Sequence, residues 1–210
     1  TGMELRDLMD LYFRKPLNFR YFNYGLDEGD LSRPALNTRT GLAPLFPLNK
    51  IVEQVLGADF DEVCRISDTE EFKRAIIPAG NMYATADETA TFYQMLLNQG
   101  EYEGVRLLEP DTIARAITPV SGIKLDRSLR IPIRYSEGFM LGENPVGMWG
   151  GHSAQAYGHI GFLNIMTWAD PARDLVVSLN LPSKSIISTH WWYVGKLVHA
   201  IGKVCTPVTE

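Results

Sequence analysis

Two apolar runs, residues 159–168 and 175–181, are separated by Ala169-Asp170-Pro171-Ala172-Arg173-Asp174, and this pattern constrains the fold more than any other stretch. β-Branched and aromatic residues bounded by an Asp-Pro turn predict two neighbouring antiparallel strands. Such a pair has to bury one face, and the next segment can cover it. Thr189 can cap a helix whose Trp191, Val194, Val198 and Ile201 lie along one side. Residues 134–141 read as a further strand. Upstream the texture is helical: Leu5, Leu8, Met9 and Tyr12 recur at helical spacing within residues 3–13. A second helix over residues 49–56 stops at Gly57, a natural left-handed terminator. Thr85-Ala86-Asp87-Glu88 reads as a capping box ahead of a buried stripe of Phe92, Met95 and Leu96, with Gly100 ending the helix. Pro110 opens another short helix. Between residues 16 and 47 the period disappears and turn formers accumulate, so this stretch is either a surface excursion or the lining of a site. The resulting class is α+β, an antiparallel sheet flanked by helices. It is read as one domain over residues 1–210, with a helical and loop region over 1–130 and the sheet and last helix over 131–210.

Charge and composition exclude several partners. Twenty Lys and Arg against 25 Asp and Glu give a net charge of −5 and a pI near 5.4. That balance disfavours nucleic acid as a partner. No apolar run approaches the ~20 residues that a bilayer span needs, so no membrane span is expected. Cys64 and Cys205 form neither a CxxC pair nor a disulfide framework and read as free thiols. His152, His159, His190 and His199 contain no HExxH and no i, i+4 pair, so no metal site and no cofactor is expected. The opening Thr1-Gly2-Met3-Glu4-Leu5 lacks the charged start and apolar run of a secretion signal, and the compartment stays open between cytoplasm and cell envelope.

Three patterns bear on chemistry. Ser121-Gly122-Ile123-Lys124 matches SxxK, in which a lysine one helical turn on takes the serine's proton. Here Pro119 and Gly122 flank the pattern with no helical stripe, and ten serines and seven lysines supply such a match often by accident. It reads as a coincidence in a loop. Tyr21-Phe22-Asn23 matches Tyr-x-Asn, a proton-relay pattern, but leads into turn formers and reads as an aromatic anchor. His159-Ile160-Gly161-Phe162 is the better candidate. It follows Tyr157-Gly158, and glycine in a strand often marks close approach by a ligand or another backbone. Thr1 as an N-terminal nucleophile has little support, because it leads directly into a helix.

Taken in order, these segments resemble the serine β-lactamase-like family of esterases, β-lactamases and D-alanyl peptidases, most of all its class C-like esterase branch. The stretch Pro78-Ala79-Gly80-Asn81-Met82-Tyr83-Ala84-Thr85-Ala86-Asp87 is similar to that family's "GGLYSTAADLARF". Tyr157-Gly158-His159-Ile160-Gly161-Phe162 is similar to its "FGHTGF", with Trp168-Ala169-Asp170-Pro171 following. Residues 1–17 look like its helix after the Tyr-x-Asn motif. The resemblance implies a β-lactamase/transpeptidase-like fold and acyl-enzyme hydrolysis of a small ester, lactam or amide. Of the family's three motifs only the third, Lys/His-x-Gly, maps here, onto His159 and Gly161. Ser121 follows Tyr21, against the family's order. The resemblance therefore implies the C-terminal part of such an enzyme, with the N-terminal strands and nucleophile helix upstream of Thr1. The Phe162 N–H would be one oxyanion donor, Gly161 would keep the strand edge open, and His159 would steer the substrate or the relay tyrosine. Trp149-Gly150-Gly151 is assigned to a pocket-rim loop. An uncovered sheet edge would require an N-terminal complementary segment or self-association. The competing reading is a non-catalytic binding or assembly module with the same fold.

Overall fold

A glutamate near a helix start and an ion pair in a turn organise two separate regions of the chain. The computed structural model describes residues 2–78, 80–127, 129–162 and 164–208, so the reading of Thr1 and the Ala79 position of the resembling stretch lie outside the described residues. Packing divides the chain into two units. One comprises Thr1–Thr89, Phe162–Ile165 and Asn180–Ser188; the other comprises Ala90–Gly161, Met166–Leu179 and Thr189–Glu210.

The first unit is built from short helices. Helix α1 (Leu5–Met9) runs directly into a π-helical turn at Asp10–Arg14. There the Lys15 N–H reaches back five residues to the Asp10 carbonyl at 3.0 Å. The wider turn shifts the apolar face by about one residue. Leu5, Leu8 and Met9 are half-buried as their spacing predicts, whereas Tyr12 is exposed and Phe13 takes the inward place. Asp10 fixes this turn by accepting from Arg14 at 2.5 and 2.6 Å and from Asn23 Nδ2 at 2.5 Å. Helix α2 (Leu48–Leu56) ends at Gly57, at φ +81°. Helices α3 (Phe60–Ser67) and α4 (Glu70–Arg74) are capped by Asp59, which accepts from the Asp61 N–H, and Thr69, which accepts from the Phe72 N–H.

Helix α5 (Ala86–Leu97) starts at the expected capping box. The Thr85 hydroxyl accepts from the Glu88 N–H at 3.0 Å, and the Glu88 carboxylate accepts from the Thr85 N–H at 2.8 Å. Its second oxygen accepts from the Arg20 and Tyr21 N–H groups at 2.7 and 2.8 Å. One buried carboxylate thus caps the helix and pins the irregular stretch before it. That stretch is packed down by Phe22, Leu26 and Leu31, all buried.

The second unit holds an antiparallel meander. Its strands are β1 (Lys124–Leu125), β2 (Pro132–Tyr135), β3 (Met140–Leu141), β4 (Tyr157–Ile160), β5 (Ile165–Asp170) and β6 (Leu175–Asn180), neighbours in chain order throughout. Two expected strands are hairpins instead. Residues 134–141 are split because the Ser136 hydroxyl accepts from the Gly138 and Phe139 N–H groups and closes a turn. Residues 159–168 are split between β4, which ends at Ile160, and β5, which starts at Ile165, with Ile160 opposite Met166 and Asn164 at φ +61°. Helix α6 (Pro110–Ile117) opens with proline in its first turn. In helix α7 (His190–Val204), Val194 and Val198 are buried as expected, but Thr189 has helical angles and its side chain makes no cap.

The core beneath α7 contains Ile133, Met140, Trp149, Met166 and Trp168. Trp149 is not a pocket rim: it is 3% exposed, stacks on Trp168 at 5.5 Å and donates to the Met140 carbonyl. At the β5–β6 turn, Arg173 donates to Asp170 at 2.6 Å and to the carbonyls of Cys205, His152 and Gly151 at 3.0–3.1 Å. Asp170 also accepts from the Ala172 N–H.

Removing Arg173 leaves the Asp170 charge buried and uncompensated. Arg173→Met is expected to cost about 3–5 kcal/mol in urea unfolding, with part recovered by adding Asp170→Asn. A loss below ~1 kcal/mol would contradict this role. Asp10 gives a pH-dependent expectation. Arg14 beside it holds its carboxyl below the ordinary carboxylate range. The folded value lies below the unfolded one, so this contribution is full above the ordinary range and lost as pH falls through the folded value. Asp10→Asn should cost about 1 kcal/mol at pH 7 and nothing near the acid limit, read as unfolding midpoints across pH.

Candidate functional site

The candidate residues lie at the end of β4, and burial falls off along that strand toward its end. Tyr157 is 2% exposed, and the next residue, Gly158, is also buried. The burial of Gly158 is steric: a Cβ there would sit 2.3 Å from the Thr167 carbonyl oxygen and 2.5 Å from the Trp168 Cβ. The close approach signalled by this glycine is made by the neighbouring strand β5. His159, paired opposite Thr167, is exposed. Its Nδ1 lies 2.7 Å from the Ile160 carbonyl. A carbonyl only accepts, so in the neutral ring Nδ1 carries the hydrogen and Nε2 offers a lone pair outward.

The strand ends at Ile160. Gly161 is exposed in an irregular position and Phe162 is half-buried in a bend. Phe162 is thus a turn residue, because the apolar run breaks at Gly161. Within the first unit its ring packs 5.8 Å from Phe60, with Lys184 Nζ 5.4 Å from its centroid.

Tyr157 packs at a tilt 5.2 Å from Phe139, whose ring lies 6.0 Å from Tyr93. Burial pushes the Tyr157 hydroxyl up to about 12 and that of Tyr93 still higher. Both remain protonated at neutral pH and are poorly suited to relaying protons.

The other two motifs fall apart in space. Ser121 lies in a bend and Lys124 opens strand β1, so the helical turn needed by SxxK chemistry is missing. Asn23 is 3% exposed and structural: it donates to the Arg6 carbonyl and to Asp10 and accepts from the Tyr24 N–H. Among the described residues no group of three His, Cys, Asp or Glu side chains could hold a metal ion, and no helix is long and apolar enough to cross a membrane. A groove of about 540 Å³ in the second unit is lined by Gly150, Gly151, Met148, Met166, Trp191 and Val198.

Sequence reasoning missed Asn81. It is 3% exposed, donates to the Phe72 and Ala75 carbonyls and accepts from the Ile77 N–H. The stretch that carried the resemblance is therefore held by Asn81 at one end and Glu88 at the other. Lys184, 2% exposed, was also missed because nothing in its local spacing marks a lysine as buried.

Helices with an antiparallel sheet, and a His-x-Gly at the end of an inner strand, define a serine hydrolase-type fold. Residues 1–183 match the family model described as Beta-lactamase, and the chain belongs to that family. A curated relative is the esterase/beta-lactamase LipL of Mycobacterium tuberculosis (strain ATCC 25618 / H37Rv), 29% identical over 124 residues, which are 58% of this chain and 28% of LipL. Among solved structures, a penicillin-binding protein homolog from Caulobacter crescentus superposes with a TM-score of 0.72 at 24% identity, covering 88% of this chain and 48% of that one. EstA from Arthrobacter nitroguajacolicus Rue61a gives 0.71 at 19% identity, covering 98% and 56%. These superpositions establish the fold. The chain spans about half the length of the structural relatives and less of LipL.

The glycine lock makes a direct expectation. Gly158→Ala has no room to relax against backbone, and should cost at least the ~1–3 kcal/mol of an overpacked core, read as a lower unfolding midpoint. A midpoint equal to that of the parent chain would show that β4 and β5 can separate freely.

Proposed function

We propose that the chain is the sheet-bearing, C-terminal portion of a serine hydrolase acting on small esters or amides through an acyl-enzyme. The observation that carries the reading is the outward His159, with Nε2 unblocked, directly before the turn that begins at Gly161. In acyl transfer the serine oxygen attacks the carbonyl carbon, and the carbonyl oxygen gains negative charge that fixed N–H donors must meet. The Phe162 N–H would be one such donor. Gly161 would leave room for the acyl group, and His159 Nε2 would accept from substrate or from a relay hydroxyl.

The nucleophile, its lysine and the relay tyrosine would be supplied by a complementary N-terminal segment. Two observations support that assignment. Ser121 and Lys124 do not share a helical turn, and the relatives are about twice as long as this chain. Among the described residues strand β6 also has a sheet neighbour on one side only, and its Leu-Val-Val-Ser-Leu-Asn sequence carries no charge, proline or glycine to blunt that edge. A strand of the complementing segment would occupy it; in its absence, the chain would self-associate there.

A fluorophosphonate probe applied to the purified material, followed by peptide mapping, tests the assignment. Label is expected on a serine outside these 210 residues. Label on Ser121 would overturn it, and no label would favour the non-catalytic binding module. In the labelled preparation His159→Ala should slow acylation about 10- to 100-fold, the worth of one hydrogen bond to a charged or developing-charge group. An unchanged rate would remove His159 from the site.

A further inference from the structure

We propose that Lys184 is a positioning residue that sets the Phe162 peptide through the Phe162 ring, an inference that rests on the acyl-transfer reading above. Lys184 is 2% exposed, yet it ends in an amine where a methionine of similar volume would pack without desolvating a charge. Its Nζ lies 5.4 Å from the Phe162 ring centroid and 3.5 Å from the Leu181 carbonyl oxygen. An ammonium over an aromatic face is attracted by the ring quadrupole, and a neutral amine is not.

The backbone reinforces this link. The Leu181 N–H donates to the Asn164 carbonyl at 3.2 Å, and Asn164 Nδ2 donates to the Ser183 carbonyl and hydroxyl. On the other side, the Thr40 N–H donates to the Lys184 carbonyl at 2.8 Å. Residues 181–184 therefore anchor Asn164, two residues after Phe162, and among the described residues Lys184 is the titratable side chain placed over the Phe162 ring. The charged and titratable groups around Lys184 are Cys64 on α3 and Asp68 just after it, with the Arg39–Asp61 pair beyond Cys64. Burial is the largest influence on the amine and lowers its affinity for a proton, while Cys64 and Asp68 oppose it. Loss of the proton on raising pH would release the ring and let the Phe162 peptide reorient.

Amide nitrogen–proton spectra of this chain, recorded from pH 6 upward, read the coupling without any turnover. The Phe162 amide is expected to move with one inflection below the ordinary lysine value of 10.5. In Lys184→Met the inflection should vanish, with the amide fixed at its high-pH position. In Lys184→Arg it should also vanish, with the amide fixed at its low-pH position, because the guanidinium stays charged. Cys64→Ala should retain the inflection. An inflection that survives in Lys184→Met, or is lost in Cys64→Ala, overturns the proposal. Should Lys184→Met lose its dispersed spectrum, Lys184→Arg and Cys64→Ala still decide it. Failure of the fluorophosphonate experiment with this titration intact would sink the hydrolase reading and leave the Lys184–Phe162 coupling standing.

Discussion

The Asp170–Arg173 pair closes the turn between β5 and β6 with side chains only 2% and 5% exposed. Taking two charges out of water costs several kcal/mol each, and their attraction offsets this only when the remaining donors and acceptors are used. Here they are. The guanidinium reaches the carbonyls of Gly151, His152 and Cys205, and the second carboxylate oxygen takes the Ala172 N–H. One side chain therefore gathers the strand turn, the loop after the 146–151 hairpin and the end of α7. An apolar pair of equal volume would fill the space but would leave those three carbonyls unpaired, and buried unpaired carbonyls are rare. The ordering of the second unit follows from this constraint more than from the area it buries.

The first unit uses the same device with a single acid. Glu88 accepts from Thr85, Arg20 and Tyr21, so the start of α5 and a loop more than sixty residues earlier share one carboxylate. Asn81 does similar work for the end of α4, taking the Ile77 N–H and donating to the Phe72 and Ala75 carbonyls. The 78–87 stretch, one of those that resemble the β-lactamase-like family, is thus held by architectural residues. Its residue types follow from the need to satisfy buried backbone groups at a helix start, and resemblance there speaks to fold before it speaks to chemistry.

Local rules made part of this legible. The Thr85–Glu88 box, the Gly57 terminator and the proline start of α6 were readable because each is set by residues within one turn. The meander with a final helix followed from the order of apolar runs. Three kinds of feature were not readable. Helices α3 and α4, eight and five residues long, are too short for a periodic signal to stand out, although Asp59 and Thr69 do mark their starts. The π-helical turn exchanged Tyr12 for Phe13 because the 3.6-residue period assumes regular hydrogen bonding. The hairpin turn at 136–139 and the break between β4 and β5 were read through as continuous strands, because apolar residues lie on both sides of each. Among the candidate residues, the sequence singled out His159 by its place after Tyr157-Gly158, and the structure leaves it exposed near the end of β4. The surroundings of Phe162 were not legible, since Phe60 and Lys184 are about a hundred and about twenty positions away along the chain.

The exposure of His159 is determined by its neighbour. Tyr157 and His159 lie two residues apart on β4 and so share one face of the sheet, and a slip of one residue would turn both to the other face. Gly158 prevents that exchange. Its missing Cβ lets β4 approach Thr167 and Trp168 more closely than any side chain would allow, and only one register brings a glycine to that point. On that face Tyr157 is buried against Phe139, while His159, nearer the end of the strand, is exposed with Nδ1 spent on Ile160. The chain next leaves the sheet at Gly161, where no strand partner constrains the peptide that follows. The peptide there has to be held by something else. The ring contacts of Phe162 and the anchoring of Asn164 to Ser183 supply the hold. Strand geometry thus orients the histidine, while side-chain packing orients the peptide three residues on.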